Sequence, residues 1–395
     1  MNVLALLRQR GRFLLPGFMQ SITPSAIGFL DFRSVFTLII AAAATAHLRS
    51  SFGRLQRKRF AVPISGRNFI LLALATVICA IGASPQLKSP EPYTVVHGWP
   101  VLPDGMVLGQ VSGVAVDSHN HVFVFHRAEN SWATDKTHPI AVPAILCFDG
   151  DSGKLVSSWG ENRFLEPHGL RVDAHDNVWA TDRALQQVFK FSHDGKLLLT
   201  IGTERVAGAD GTHFDKPTDI AFASDGAIYV SDGYGNNRVA KFSSDGRFLF
   251  DWGHKGQGPG EFDLPHSVAV DAQGNVYVAD RSNARIQVFD SNGKFLKQWK
   301  SSDLGRPWSL TIGSDNLLYV VDGGDLKPAP PDRGQLLKVD LSGKIVAKWS
   351  RFGNYGGQIY WGHNIAVGKD GAVYVDVGDV YHGMRVQKFV LNSSR

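Results

Sequence analysis

The chain has 395 residues, and its 44% hydrophobic and 19% charged content is typical of a globular protein and excludes intrinsic disorder. The net charge of +5 arises at the N-terminal end. Residues 1–67 hold ten of the 41 basic residues and one of the 36 acidic ones, which leaves 31 basic and 35 acidic residues, a net charge of −4, in the rest. That remainder has no basic tract, so we expect no nucleic-acid partner.

Residues 1–90 make up an N-terminal extension built around a short apolar run. The run, residues 69–82 (FILLALATVICAIG), follows basic residues at 54–67 and precedes small residues at 82–84, which is the order of a secretory signal. It is shorter than the roughly 20 residues of a spanning helix. An earlier apolar run at 35–46 leaves open a retained membrane anchor or a start codon placed too far upstream. We expect the globular part outside the cytoplasm, periplasmic or secreted, with membrane anchoring as an open alternative.

Two smaller features concern the predicted core. Cys79 lies in the apolar run, so Cys147 remains as a single cysteine in a strand-like segment (ILCF), where we expect a small buried residue rather than a disulfide partner or nucleophile. The segment from residue 111 onward consists of six repeat units of four predicted strands each, described below, and a tryptophan recurs at the end of the fourth strand in four of them, where we expect it to pack between neighbouring units. These tryptophans are Trp159, Trp252, Trp299 and Trp349.

From residue 111 onward the sequence repeats itself six times. The six segments are VSGVAVDSHNHVFVFHR, PHGLRVDAHDNVWATDR, PTDIAFASDGAIYVSDGY, PHSVAVDAQGNVYVADR, PWSLTIGSDNLLYVVDG and GHNIAVGKDGAVYVDVG. Their equivalent second residues follow one another at intervals of 42 to 56 residues and are Ser112, His168, Thr218, His266, Trp308 and His363. Periods of this length are typical of the blades of a β-propeller.

Each unit is predicted to form four strands, as the fourth repeat illustrates. Strands at 267–270 and 276–279 flank a turn rich in Asp, Gly and Asn, and two further strands follow. The last unit has three strands, and we expect residues 93–97 (YTVVH) to supply the fourth and close the ring. The sequence therefore predicts an all-β fold, a six-bladed β-propeller over residues 91–395. The units resemble NHL-type repeats over roughly residues 93–391.

Three histidines occupy the same repeat position in alternate units. The first strand of a blade lines the central channel, so His168, His266 and His363 are expected at one depth, about 120° apart around the axis. Three imidazoles that converge in this way form a facial set of three nitrogens, which suits zinc with a fourth position open for water or substrate. A single histidine in an apolar strand is usually structural, but three in register favour a metal site.

The loop after the second strand of each blade lies on the same face as the start of the first strand. Polar residues at similar offsets in these loops therefore flank the predicted metal, and they are Arg127, Arg183, Tyr234 and Arg281. Together they frame a cationic cup around a Lewis acid. Such a cup fits a small anionic substrate with a carboxylate near the reacting atom.

The combination resembles the peptidyl-α-hydroxyglycine α-amidating lyase family. The stretches that carry the resemblance are GQVSGVAVD with FVFHR, PHGL, HFDKPTDIA with VSDGYGNNR, and LPHSVAV with VADRSNARIQ. The family is a six-bladed propeller with a three-histidine zinc, and it cleaves a peptidyl-α-hydroxyglycine to a peptide amide and glyoxylate. No monooxygenase domain is recognised before the propeller, so we expect another protein to supply a hydroxylated substrate.

The resemblance implies roles for individual residues. His168, His266 and His363 would hold the zinc, and Arg127 would pair with the substrate carboxylate. Tyr234 would match the tyrosine that takes the hydroxyl proton, and nearby positive charge would have to stabilise its phenolate. Arg281 would match a further active-site arginine, and Arg183 is expected in the substrate pocket.

Two departures from the family pattern stand at the third histidine. The family has Met-Pro before it and Asp after it, whereas here Trp-Gly, beginning at Trp361, precedes it and Asn364 follows. Trp361 is expected to reshape the substrate pocket. Asn364 replaces a carboxylate of the family's structural calcium site, whose two backbone carbonyls map onto Val114 and Leu170. An amide oxygen can also coordinate calcium, so these three residues remain candidate calcium ligands.

The sequence is also compatible with two other functions. NHL-type propellers also serve as non-catalytic binding modules, and an extracytoplasmic module of that kind would need no metal. A calcium-dependent lactonase or esterase propeller would place carboxylate and amide oxygens in the channel, where this chain has histidines. No nucleophile elbow or phosphate-binding loop is apparent. We therefore expect a zinc-dependent carbon–nitrogen lyase acting on an α-hydroxy-amide or peptide.

Overall fold

The structure is a computed structural model that describes residues 92–131, 136–324, 333–377 and 385–392. The described residues all belong to one compact unit, residues 88–395. The predicted signal or anchor extension, with its apolar run at 69–82, lies outside the described residues. Within the described ranges, no helix has the length and apolar character needed to cross a bilayer.

The described residues form 24 strands in six four-stranded antiparallel sheets, which confirms the six-bladed propeller. β1 (Tyr93–Val95) comes first in the chain and belongs to the last sheet. Blade 1 contains β2 (Val111–Val116), β3 (His121–His126), β4 (Ile145–Asp149) and β5 (Leu155–Trp159). Blade 2 contains β6 (Pro167–Val172), β7 (Val178–Asp182), β8 (Gln187–Phe191) and β9 (Leu197–Ile201). Blade 3 contains β10 (Asp219–Phe222), β11 (Ile228–Asp232), β12 (Arg238–Phe242) and β13 (Phe248–Trp252).

The second half of the ring repeats this arrangement. Blade 4 contains β14 (Pro265–Val270), β15 (Val276–Asp280), β16 (Arg285–Phe289) and β17 (Phe295–Trp299). Blade 5 contains β18 (Pro307–Ile312), β19 (Leu318–Asp322), β20 (Gln335–Val339) and β21 (Ile345–Trp349). Blade 6 contains β22 (Gly362–Val367), β23 (Val373–Val377), β24 (Arg385–Leu391) and the early strand β1.

An aspartate-centred turn joins the first two strands of a blade. In blade 4 one oxygen of Asp271 accepts the backbone N–H groups of Gln273 and Asn275, at 2.9 and 2.8 Å. Its other oxygen accepts Asn275 Nδ2 at 2.7 Å and the Tyr277 hydroxyl at 2.9 Å. The side chain satisfies donors that the tight turn leaves without strand partners, which is why the repeat places aspartate here.

The N-terminal strand closes the ring as the sequence predicts. β1 pairs antiparallel with β24, with Tyr93 opposite Leu391 and Val95 opposite Phe389. The Tyr93 ring is buried and stacks on Trp349 of blade 5, with 4.4 Å between ring centroids. The pairing covers an edge strand that would otherwise expose its backbone hydrogen-bonding groups.

The hydrophobic core is divided among the six junctions between neighbouring blades. Each of the six apolar clusters combines residues from two consecutive blades, and the sixth joins blade 6 to blade 1. The recurrent tryptophans pack there, as predicted. The ring centroid of Trp159 in blade 1 lies 4.8 Å from that of Phe191 in blade 2, and the ring centroid of Trp252 in blade 3 lies 5.7 Å from that of Phe289 in blade 4. Cys147 is also buried in the first of these clusters.

Candidate metal centre

The three histidines of alternate blades meet on the channel axis. Each is the second residue of the first strand of its blade, β6, β14 or β22. Their ring centroids are 4.7 to 4.9 Å apart, and one ring nitrogen of each lies within 4.8 Å of those of the other two. His168, His266 and His363 are 1%, 3% and 7% exposed, so the cluster is shielded from bulk water.

Backbone carbonyls of the intervening blades orient the imidazoles. Nδ1 of His168 lies 2.7 Å from the carbonyl oxygen of Thr218, and Nδ1 of His266 lies 2.7 Å from that of Trp308. Nδ1 of His363 makes the same contact with Ser112 at 2.8 Å. Since a carbonyl only accepts, each Nδ1 carries the proton and donates, and each Nε2 keeps its lone pair.

The donor set fits a divalent metal. The three Nε2 atoms are the nitrogens left with lone pairs, and Nε2 of His363 is buried without a hydrogen-bond partner in the described part of the chain. Burial is the largest cause that lowers the pKa of His168, His266 and His363 well below the usual histidine value, and nearby histidines and arginines lower it further. The imidazoles are therefore neutral at physiological pH, the form that binds metal, and three such nitrogens suit zinc.

Acceptors at the end of the second strand hold the loop that delivers each histidine. In blade 2, Asp182 accepts the backbone N–H groups of Leu165 and Glu166, at 2.7 and 2.9 Å, just before His168. In blade 4, Asp280 accepts the N–H of Asp263 at 2.8 Å. The repeated aspartate thus fixes the entry into the first strand, which sets the depth of the histidine in the channel.

Tyr234 lies directly above the histidines. Its hydroxyl is 3.2 Å from Nε2 of His266 and 3.4 Å from Nε2 of His168. Nη1 of Arg281 donates to the same hydroxyl at 3.2 Å, and the guanidinium of Arg183 lies 4.0 Å from the centre of the tyrosine ring. Three residues from three different loops therefore converge with the histidines, and two of them bring positive charge to the phenol.

Arg127 is held beside the first histidine. Its Nε donates to the carbonyl oxygen of Pro167, the residue before His168, at 3.0 Å, and its Nη1 donates to Gln110 Oε1 at 3.4 Å. Burial lowers the pKa of Arg127 to about 10, and the carboxylate of Glu166 acts in the opposite direction. The group stays charged at neutral pH, so it can pair with an anionic substrate.

The chain is similar in sequence to known β-propeller proteins. A family model described as a 6-bladed beta-propeller matches residues 209–347. A peptidyl-alpha-hydroxyglycine alpha-amidating lyase 2 of Drosophila melanogaster is 33% identical over 332 residues, which cover 78% of this chain and 77% of that protein. The chain belongs to the peptidyl-α-hydroxyglycine α-amidating lyase family.

Other relatives cover less of their own length. A peptidyl-glycine alpha-amidating monooxygenase of Mus musculus is 37% identical over 312 residues, which cover 73% of this chain and 31% of the mouse protein. The chain thus spans about a third of the length of that relative. Among solved structures, a gluconolactonase from Xanthomonas campestris matches with a TM-score of 0.51 at 15% identity, over 72% of this chain and 87% of that chain, which reflects the shared fold.

The lyase-family pattern did not reveal three residues beside the centre. Glu166 accepts Nη1 of Arg183 at 2.9 Å and so balances one charge of the cup. Trp308 carries the guanidinium of Arg281 at 3.3 Å from its ring centre and lies 5.6 Å from the ring of His266. Asp376, whose pKa burial raises to about 8, has an oxygen 4.0 Å from Nδ1 of His363. Trp308 shares the repeat position of the histidines, and Glu166 and Asp376 also stand at repeat positions that are polar in other blades, so repeat alignment was a signal for all three.

Two departures from the family pattern are visible in the structure. Trp361 has a left-handed backbone, with φ of 50°, and its ring lies 5.4 Å from that of Tyr360 in the loop before β22. Asn364 Oδ1 accepts the backbone N–H of Val114 at 3.4 Å, so this amide links blade 6 to blade 1. The candidate calcium ligands Val114, Leu170 and Asn364 offer neutral oxygens alone, and the guanidinium of Arg171 donates to the backbone carbonyls of Leu310 and Ile365.

A second group of metal-ligand types, His121, Cys147 and His193, has ring nitrogens and a sulfur within 4.8 Å of one another. The turn at Asp117 explains it. Asp117 Oδ2 accepts from His121 Nδ1 at 2.9 Å and from His193 Nε2 at 2.8 Å. The two histidines replace the Asn and Tyr donors of the same turn in blade 4, and burial raises the pKa of the Cys147 thiol to about 12. The two histidines of this group therefore act as donors to the Asp117 turn.

Proposed function

We propose that this chain is a zinc-dependent lyase that cleaves the C–N bond of an α-hydroxy-amide, releasing an amide and glyoxylate. The substrate class is a small anionic α-hydroxy-amide or a peptide that ends in α-hydroxyglycine. The observation that carries the proposal is the convergence of three neutral imidazoles, each with Nδ1 committed to a carbonyl and Nε2 directed to the shared centre. Membership of the amidating lyase family supports the same reaction class.

His168, His266 and His363 would hold the zinc. When bound, zinc supplies a Lewis acid that stabilises the negative charge that develops on the substrate oxygen. The protein positions this chemistry in a site whose histidines and arginines are almost fully buried, where electrostatic interactions are stronger than in water.

The arginines orient the substrate. Arg127 and Arg281 are each 3% exposed and carry charge at neutral pH. A substrate carboxylate that binds between them loses its hydration shell and gains charge-assisted hydrogen bonds from the two guanidinium groups. Arg183 is paired with Glu166, so it attracts the substrate carboxylate less strongly than Arg127 and Arg281 do. The substrate carboxylate then fixes the hydroxyl-bearing carbon next to Tyr234.

Tyr234 moves the proton. The reaction removes the proton from the substrate hydroxyl, breaks the C–N bond and delivers a proton to the departing amide nitrogen. The phenol oxygen receives a hydrogen bond from Arg281, and the guanidinium of Arg183 lies 4.0 Å from the centre of the ring, so the two arginines hold the hydroxyl where it can take the substrate proton. The same oxygen can return the proton to nitrogen, so acid and base roles rest on one residue.

Metal analysis together with a glyoxylate-release assay tests the proposal. Purified full-length chain should contain zinc, and it should release glyoxylate from a synthetic peptidyl-α-hydroxyglycine at a rate that depends on the zinc content. Zinc without glyoxylate release would assign the centre to a different α-hydroxy-amide chemistry. A chain that binds no zinc and releases no glyoxylate would contradict the proposal and favour an NHL-type binding module.

We also propose that the propeller works outside the cytoplasm, periplasmic or secreted, because the sequence of the extension has the order of a secretory signal. Cell fractionation with N-terminal sequencing of the mature chain tests this. A protein recovered in the cytoplasm with its extension intact would contradict it, and recovery in the membrane fraction would favour the anchor.

A further inference from the structure

A partly buried arginine lies on the same strand as the first histidine and reaches across the ring of blades. Arg171 lies three residues after His168 on β6, and its side chain is 12% exposed. In each blade, the residue two positions after the repeat position of the histidines also lies on the first strand. In blades 1 and 2 these residues are Val114 and Leu170, the carbonyl ligands expected for a structural calcium. Leu310 and Ile365 occupy the same repeat position in blades 5 and 6, so their carbonyls belong to the same ring.

The Arg171 guanidinium bonds to this ring of carbonyls. Nη2 donates to the carbonyl oxygen of Leu310 at 2.9 Å, and Nη1 donates to that of Ile365 at 3.1 Å. Nη2 also reaches Ser267 Oγ of blade 4 at 3.3 Å. One side chain from blade 2 therefore contacts blades 4, 5 and 6, which is possible only if its guanidinium lies near the axis.

The charge of the arginine is balanced within the channel. Arg171 Nε donates to Asp219 Oδ1 at 2.9 Å, and Nη2 pairs with Asp219 Oδ2. Asp219 is 1% exposed and also accepts the hydroxyl of Ser267. The bidentate pair is the strong form of a charge-assisted hydrogen bond, and among the described residues Asp219 supplies the carboxylate that contacts the arginine.

A calcium ion does not fit beside this pair. Calcium takes six to eight oxygen ligands and gains affinity from carboxylates, whereas Val114, Leu170 and Asn364 offer neutral oxygens. The amide oxygen of Asn364 already accepts the N–H of Val114. A divalent cation would also face a guanidinium at short range in a buried channel, where repulsion is weakly screened.

We propose that the Arg171–Asp219 pair replaces the structural calcium of the lyase family in this chain. The guanidinium supplies the positive charge and the directed contacts that hold the carbonyls of opposite blades together. The propeller therefore keeps its channel closed without a bound calcium. This inference concerns the channel and is independent of the reaction assigned to the histidine centre.

Calcium titration of the full-length chain tests the proposal, with zinc held constant. Calorimetry in calcium-depleted buffer should give no heat of calcium binding, and millimolar calcium should leave the melting temperature unchanged. Stoichiometric calcium binding by the unmodified chain, or a melting temperature that rises with calcium, would overturn the proposal. Neither readout uses turnover, so a failed activity assay does not affect the result.

Variants of the pair sharpen the test. Arg171→Ser leaves Asp219 buried without its partner, so the melting temperature in calcium-free buffer should fall by about 5 °C or more. The freed carboxylate and carbonyls should then let calcium restore part of that loss. The double variant Arg171→Ser with Asp219→Asn lacks the carboxylate and should show no calcium response, and Arg247→Ser, at an exposed position, should behave as the unmodified chain.

The variants are read together with the unmodified chain. An Arg171→Ser chain that folds only with calcium supports the proposal, since the ion then substitutes for the side chain. An Arg171→Ser chain that melts as the unmodified chain does, with or without calcium, would show that the pair does not stabilise the channel. If this variant fails to fold under both conditions, the calcium titration of the unmodified chain decides.

Discussion

Replacing Tyr234 by phenylalanine removes one oxygen from the centre of the proposed reaction and keeps the ring. That oxygen lies 3.2 Å from Nε2 of His266 and accepts a hydrogen bond from Arg281, while the ring carries Arg183 at 4.0 Å. The side chain is partly exposed, so the loss of the hydroxyl leaves no cavity in the core. The substitution therefore isolates proton transfer from packing.

The size of the effect follows from the role. A positioned general base contributes about 10² to 10⁴ in rate. This corresponds to about 3–5 kcal/mol of transition-state free energy. We expect kcat for glyoxylate release by Tyr234→Phe to fall by a factor in that range. The zinc content should stay unchanged, because the three histidines and their carbonyl partners remain.

Single-turnover and steady-state release of glyoxylate from a synthetic α-hydroxyglycine peptide measure the change. Tyr355→Phe is the matched control, since this tyrosine is 79% exposed, and it should keep full turnover. Full turnover by Tyr234→Phe would refute the assignment of the base. Loss of zinc from Tyr234→Phe would instead make the tyrosine a positioning residue of the metal centre.

The remaining predictions concern the histidine ligands, the closing strand β1 and Trp308. His266→Ala should lose zinc and activity together by elemental analysis, whereas His254→Ala, at an exposed side chain, should retain both. Tyr93→Ala should lower the free energy of unfolding by about 3–5 kcal/mol in a urea titration, because a buried stacked ring is lost; an unchanged midpoint would contradict closure by β1. Trp308→Leu should keep zinc and reduce kcat/KM by about tenfold, since the Arg281 guanidinium loses the ring that holds it; unchanged kinetics would remove Trp308 from the site.

Repeat position alone was enough to predict much of this centre. The second residue of each first strand lines the channel, so the repeat alignment alone places the three histidines at one depth. The closing strand was predictable as well, because blade 6 lacked a fourth strand and residues 93–97 had the alternation of one. Both inferences depend on the equivalence of the blades, which is a property of the sequence pattern.

Contacts between blades could not be predicted in this way. The tautomer of each histidine depends on a carbonyl of the next blade, and backbone carbonyls leave no trace in the residue types. Arg171 reaches across the channel from a repeat position that holds alanine or threonine in the other blades, so its residue type is an outlier, but its partners in blades 3 to 6 do not follow from the pattern. Glu166 lies just before a repeated segment, and its pairing with Arg183 follows from the loop path rather than from spacing.

The hydrogen bonds of the three histidines have a consequence for how the ring holds together. Each imidazole belongs to one blade and donates to the following one, so the three side chains join blades 2 and 3, blades 4 and 5, and blades 6 and 1. A shared ion would connect these three pairs into one closed circle. If any two of these blade pairs moved apart, a histidine nitrogen would leave the ion. Metal binding and the stability of the folded propeller are therefore thermodynamically linked, and each should strengthen the other.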